Sequence, residues 1–175
     1  MKKTDPRTVQ TKTNIQQILL ELLKQMPFDK ITVSNLCKEA GINRGTFYLH
    51  YCDIYAVLEE LMEQILRDEP TQEPYHCALT AEHYQCPYGI CDKIHTHPEY
   101  GVIFFDDSLT GRVIEKIAEQ SKDKYIASLV QQLSLTAEQA ETIFYFQLNG
   151  CLAVNKKIYR SGSRNWEASR DLIGG

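Results

Sequence analysis

Between Ile31 and Tyr51 the chain places Thr32, Asn43, Arg44, Gly45, Thr46, Tyr48 and His50, side chains whose chemistry suits the base edges and backbone of a nucleic acid. An arginine can donate two parallel hydrogen bonds to guanine O6 and N7, and an asparagine can pair with adenine or meet a phosphate. Gly45 carries no side chain, so the backbone there can approach a groove closely. Thr32, Tyr48 and His50 can donate to phosphate oxygens, as can the amides of a helix that starts after Thr32. Contacts of that second kind set register, whereas base-edge contacts set sequence choice.

A second constellation is Cys86, Cys91, His95 and His97, with Cys77 and His83 upstream. Thiolate and imidazole ligands at this density could hold zinc or another thiophilic ion. The spacing Cys-x4-Cys-x3-His-x-His is not a standard zinc-finger pattern. Buried thiols with surface histidines, or thiols that respond to oxidants, remain alternatives, and Cys86-Pro87 followed by Gly89 also reads as a simple turn. The chain holds 6 cysteines and opens on Met-Lys-Lys and polar residues, not on an export-type apolar run. Reduced thiols are therefore expected, with Cys37 acting as a small buried hydrophobe.

The elements that must carry the first constellation are legible in the pattern of apolar residues. Ile15, Ile18, Leu19, Leu22, Leu23 and Met26 follow i, i+3, i+4, i+7 spacing, which predicts an amphipathic helix ended by Pro27. Thr32 is a natural N-cap for a short helix with Val33, Leu36, Cys37 and Ala40 on one face, and Gly41 should stop it. Asn43 can cap a further helix, Arg44 to His50, with Phe47 and Tyr51 turned inward and Arg44, Thr46 and Tyr48 outside. Two short helices joined by a glycine-containing turn make a helix-turn-helix. Asp53 then caps a longer helix that buries Val57, Leu58, Leu61, Met62, Ile65 and Leu66, and the polar stretch Pro70 to Pro74 reads as a hinge.

The run from Ile31 to Tyr51 resembles the DNA-binding module of the TetR family of bacterial transcriptional regulators. The resemblance rests on Thr32 before the first helix, Ala40-Gly41 in the turn, Arg44-Gly45-Thr46-Phe47-Tyr48 on the recognition helix, and the ending Tyr48-x-His50-Tyr51. It covers about residues 8 to 66. It departs from the family at Cys52-Asp53-Ile54-Tyr55, where many members carry a phosphate-binding lysine. Lys2, Lys3 and Arg7 on the N-terminal arm could compensate, or simply be solvated. The resemblance implies a homodimeric repressor that leaves a palindromic operator when a small-molecule effector binds its C-terminal domain.

Charge is divided along the chain in the same sense. Residues 1–51 carry eight Lys/Arg against four Asp/Glu, net +4, and the remainder eleven against nineteen, net −8. A basic module joined to an acidic one suits a first part that faces polyanionic DNA and a second part that does not.

After an irregular stretch from Tyr75 to Pro98, Thr110 opens a long helix, and Thr136 with Gln139 forms a capping-box pattern before another, Ala137 to about Tyr159. Ile143, Phe144, Phe146, Leu148, Cys151, Leu152, Ala153 and Val154 cover nearly the whole circumference of that last helix. Such a helix must be covered on several sides. Packing against a symmetry mate is one way to do so, with Ile143, Phe146, Leu148, Cys151 and Leu152 at the dimer interface; a central position in a monomeric bundle is the other. Tyr100, Phe104, Tyr125 and Phe144, along with Phe105, Tyr145 and Phe146, are candidate walls of an effector pocket, although aromatics at this spacing also serve as plain core.

The expected class is all-α: a helix-turn-helix DNA-binding domain over residues 1–52, a connecting helix and hinge over 53–74, and a helical regulatory and dimerisation domain over 75–175. No nucleophile elbow, phosphate loop, paired-carboxylate motif or HExxH is present, so no enzyme is expected. No segment has the length of apolar sequence that a membrane span needs, so a cytoplasmic protein is expected. The expected partners are double-stranded operator DNA, a second copy of the chain and an effector, with no required cofactor. A metal- or thiol-responsive regulator, and an adaptor of the same fold that does not bind DNA, are the alternatives.

Overall fold

The computed structural model describes residues 5–67, 93–94 and 96–162. The hinge at 70–74, Lys2 and Lys3, Cys77, His83, Cys86, Cys91 and His95 lie outside the described residues. The protein is all-α, with no strand among the described residues.

Helix α1 (Pro6–Leu23) starts where Asp5 accepts a hydrogen bond from the Arg7 amide and Pro6 occupies the first turn. It buries Ile15, Leu19, Leu22 and Leu23. The helix closes three residues before the expected Met26, because the Gln25 and Met26 amides both turn back to the Leu22 carbonyl. A short 3-10 turn, Phe28–Lys30, follows. Helix α2 (Val33–Ala40) is capped by Thr32, whose hydroxyl accepts from the Asn35 amide at 3.1 Å. It ends at Gly41, whose φ of 66° belongs to the left-handed region where a Cβ would be strained.

Helix α3 (Arg44–Tyr48) is a turn and a half, shorter than the expected Arg44–His50. Helix α4 (Ile54–Arg67) begins where the Asp53 carboxylate accepts from the Ala56 amide at 2.8 Å. Its buried stripe is Ile54, Val57, Leu58, Leu61, Met62, Ile65 and Leu66. Helix α4 packs against α1 and against the long C-terminal helix Thr110–Leu133.

Beyond the segment outside the described residues come a short α5 (Gly101–Phe104) and two long helices, α6 (Thr110–Leu133) and α7 (Ala137–Ser161). These two pack on each other as a hairpin. The capping box at Thr136 and Gln139 is formed in full. Buried side chains from Ile15 through Leu152 make one connected core. The N-terminal helices and the C-terminal hairpin therefore share apolar contacts across α4, α5 and the 3-10 turn. No described helix is long and apolar enough to cross a membrane.

Candidate nucleic-acid interface and the C-terminal candidates

Phe47 is the anchor of α3. It is fully buried, and its ring meets those of Tyr48 and Tyr51 at 5.4 and 5.9 Å. Burying a phenylalanine of this kind is worth roughly 1.5 to 3 kcal/mol, enough to hold so short a helix against the core when its own hydrogen bonds cannot. Tyr51 continues the anchor. Its hydroxyl lies 3.4 Å from the Gln16 amide nitrogen, and Lys12 stands over its ring while pairing with Glu60 at 2.8 Å. Burial pushes the Tyr51 phenol well above its usual range, with Glu60 adding to the effect. The end of the recognition segment is thereby tied to α1 and α4 together.

Thr32, Asn43, Arg44, Gly45 and Tyr48 are exposed, whereas Thr46, expected outside, and His50 are half-buried. Arg44 Nη2 reaches the Tyr48 hydroxyl at 3.5 Å, and its guanidinium carbon lies 6.0 Å from the Tyr48 ring centre. One turn of helix thus holds the arginine beside an aromatic face, which restricts its rotamers before any ligand arrives. The Tyr48 contact raises the Arg44 pKa, so the group stays charged.

Asn43 caps α3 as its position predicted, and that role bears on the base contact also considered for it. Its Oδ1 accepts from both the Thr46 amide, at 2.7 Å, and the Thr46 hydroxyl, at 3.2 Å. Bidentate pairing with adenine would need that same oxygen. The geometry makes Asn43 the cap of α3 and leaves its NH2 for a phosphate. The glycine beside it has a local reason as well: a Cβ on Gly45 would meet Asn43 Oδ1 at 3.1 Å and crowd the cap.

Leu49 is a residue that the sequence reading passed over. It caps the C-terminus of α3 and is 81% exposed. The available signal was an aliphatic residue placed between two polar ones on the outward side of the recognition segment.

Cys37 is buried against the core, and that burial raises its thiol pKa despite the nearby Arg44 charge. A thiol held in its neutral form is a poor redox nucleophile. Within the stretch Cys52-Asp53-Ile54-Tyr55, Tyr55 lies on the first turn of α4. Its ring stacks edge-on with Phe28 at 5.0 Å and lies under the Arg112 guanidinium at 4.2 Å. That position is used to join α4 to α6.

The C-terminal candidates divide. Tyr125 and Phe144 pack on each other at 5.5 Å and are almost fully buried between α6 and α7, with the Tyr125 hydroxyl donating to the Gln147 side chain. Phe104 is buried too, and Tyr100 is half-buried beside His97. These four are core or edge residues and do not line the cleft described next. That cleft, of about 730 Å3, opens between the end of α1 and the α5 region. Its walls include Met26, Pro27, Val102, Phe105, Tyr159 and Arg160. His97 Nδ1 faces Glu99 at 3.2 Å; its proposed companions Cys86, Cys91 and His95 lie outside the described residues. Among the described residues no three His, Cys, Asp or Glu side chains converge as a metal site would require.

On α7, Leu148 and Leu152 are buried inside the protomer, in line with Ala140, Phe144 and Asn155. Ile143 and Cys151 are half-buried, and Phe146 is 80% exposed. Helix α6 packs on the stripe that carries Ala140, Phe144, Leu148 and Leu152, and the opposite side exposes Phe146 beside Thr142, Asn149 and Gly150. Leu148 and Leu152, expected at a dimer interface, instead face the protomer's own core, because the neighbouring helices take their stripe; of the expected interface residues Phe146 is the exposed one.

Fold and site together define an all-α protein whose N-terminal helices form a helix-turn-helix with an exposed, basic recognition segment. Residues 19–61 match the family of bacterial regulatory proteins, tetR family. A 51-residue stretch is 31% identical to the uncharacterized HTH-type transcriptional regulator YxbF of Bacillus subtilis (strain 168), covering 29% of this chain and 13% of that protein. The N-terminal segment of this chain is thus similar to the tetR family over residues 19–61, and the match spans only a small part of the relative's length.

Proposed function

We propose that this chain is a DNA-binding transcriptional regulator that acts as a homodimer, represses from a palindromic operator and is released by a small-molecule effector. The observation that carries the reading is the seating of α3. Phe47 is sunk in the core while Arg44 and Tyr48 stand exposed beside each other, on a segment that matches the tetR family model. Arg44 would read a guanine, and Thr32, Asn43, Tyr48 and His50 would hold phosphates. A second copy would pack on the Phe146 face of α7 and present two recognition helices to two half-sites.

An effector would act by linkage, favouring a spacing of the two modules that DNA does not accept. The cleft between α1 and α5 is supporting ground for this part of the proposal, because residues of both the helix-turn-helix module and the C-terminal region line it.

The test is selection of bound sequences from a random duplex pool at moderate salt, with Arg44→Ala as the control. An enriched palindrome is expected. Arg44→Ala should weaken it by roughly 1 to 3 kcal/mol, with the greatest loss on the preferred operator. Log affinity should also fall steeply with log salt. A folded protein that enriches no duplex and whose partner binding is indifferent to salt would be an adaptor, and the proposal would fail.

A further inference from the structure

At 3.6 residues per turn, Gly45 and Leu49 lie on the side of α3 roughly opposite the fully buried Phe47. Leu49 keeps helical geometry, with φ −70° and ψ −22°, and its amide donates to the Gly45 carbonyl at 3.1 Å. The outermost line of the recognition segment is thus a residue with no side chain followed by an 81% exposed aliphatic one. Arg44 and Tyr48 flank that line on one side, and Thr46 on the other.

An isobutyl group in this position gains nothing from the protein's own core. In a major groove the apolar feature on the base edges is the thymine 5-methyl group; the other features are hydrogen-bond donors and acceptors. A bare Gly45 lets the helix approach closely enough for a short aliphatic chain to reach a base. Arg44 on the same short helix, within a segment 1–51 of net charge +4, suits a polyanionic partner for this face.

We propose that Leu49 is a specificity-determining residue, packing its side chain on a thymine methyl in each half-site of the operator. This rests on the DNA-binding reading above. Arg44 then selects by hydrogen bonding and Leu49 by apolar contact, two independent requirements within one turn of helix.

The experiment replaces each thymine of the selected operator by deoxyuridine, one position per half-site at a time, and measures affinity by fluorescence anisotropy for the unaltered protein and for Leu49→Ala. Losing the methyl should weaken the unaltered protein at one position by on the order of threefold to tenfold. Leu49→Ala should lose a similar factor on the thymine operator and be indifferent to uracil at that position. Because Leu49 is exposed, thermal unfolding of the variant should match that of the parent. Equal weakening of Leu49→Ala on thymine and uracil duplexes would make Leu49 a sugar or phosphate contact and overturn the proposal, as would unchanged affinity. A loss with Arg44→Ala but none with Leu49→Ala would leave DNA reading standing while removing Leu49 from it. Failure of any duplex to enrich would overturn both.

Discussion

The backbone N–H of Phe28 donates to the carboxylate of Asp106 at 3.0 Å, across 78 residues of chain. The other oxygen of the same carboxylate accepts from the amide and hydroxyl of Ser108. One side chain therefore caps its own 3-10 turn and pins the turn that follows α1, joining the helix-turn-helix module to the C-terminal region. Asp106→Ala should cost about 1 to 3 kcal/mol, since it leaves a part-buried amide without its acceptor. Asp106→Asn, which can still accept, should cost less. Urea unfolding checks both, and equal midpoints for the two variants would show that the bond to Phe28 contributes nothing.

Helix α7 predicts two unlike outcomes two residues apart, on opposite faces. Leu148→Ala removes a side chain that is 1% exposed and should destabilise the protomer by about 2 to 5 kcal/mol. Phe146→Asp alters an 80% exposed one and should leave protomer stability nearly unchanged while dissociating the dimer. Sedimentation and thermal unfolding of both variants separate the roles. A Phe146→Asp protein of unchanged mass would exclude that face as the interface.

Lys116 is largely buried among Glu59 at 3.2 Å, Glu63 at 3.0 Å and Glu119 at 3.5 Å. Burial alone would lower its pKa; hydrogen bonds to Glu63 and Glu59 outweigh that and raise it. Lys116→Met would remove the cation shared by three carboxylates between α4 and α6, leaving Glu59 with Arg112 and Glu63 with Arg67. The loss should be ~1 kcal/mol at low salt and shrink as salt screens the ion pairs. Denaturation at two ionic strengths reads this directly, and a loss independent of salt would assign the effect to packing.

Asp107 supplies a pH signature. The hydrogen bond from Lys156, and then that from Arg160, hold its carboxyl down at about 2 against 3.8 for a free group. A depressed carboxylate contributes stability above its unfolded pKa and loses it as pH falls through the folded one. The Tm difference between the parent and Asp107→Asn should therefore be present above pH about 4 and vanish toward pH about 2. Because the group is exposed the difference should be small; parallel curves throughout would mean that the pair is not maintained in solution.

Much of the N-terminal module is legible because its controls are local. Thr32, Asn43 and Asp53 each accept from an amide three residues on, and Thr136 does the same for α7, so identity and spacing suffice to mark those starts. Phe47 declared itself by its spacing from Tyr51. Asn43 was harder to read, because capping and base pairing compete for one oxygen and only the fold says which holds it. Leu49 was overlooked for a related reason: an exposed aliphatic residue has a meaning only once the direction of Phe47 is known.

By itself the amino-acid order determined the all-α class, the helix-turn-helix and its caps, since these depend on interactions spanning three or four residues. The tertiary structure decided which face of α7 is taken by α6, that Tyr125 and Phe144 fill a core, and that Phe28 meets Asp106. Those outcomes depend on pairs far apart in sequence, whose contacts exist only when whole helices have been brought together, and an apolar side chain carries no mark of which neighbour will cover it.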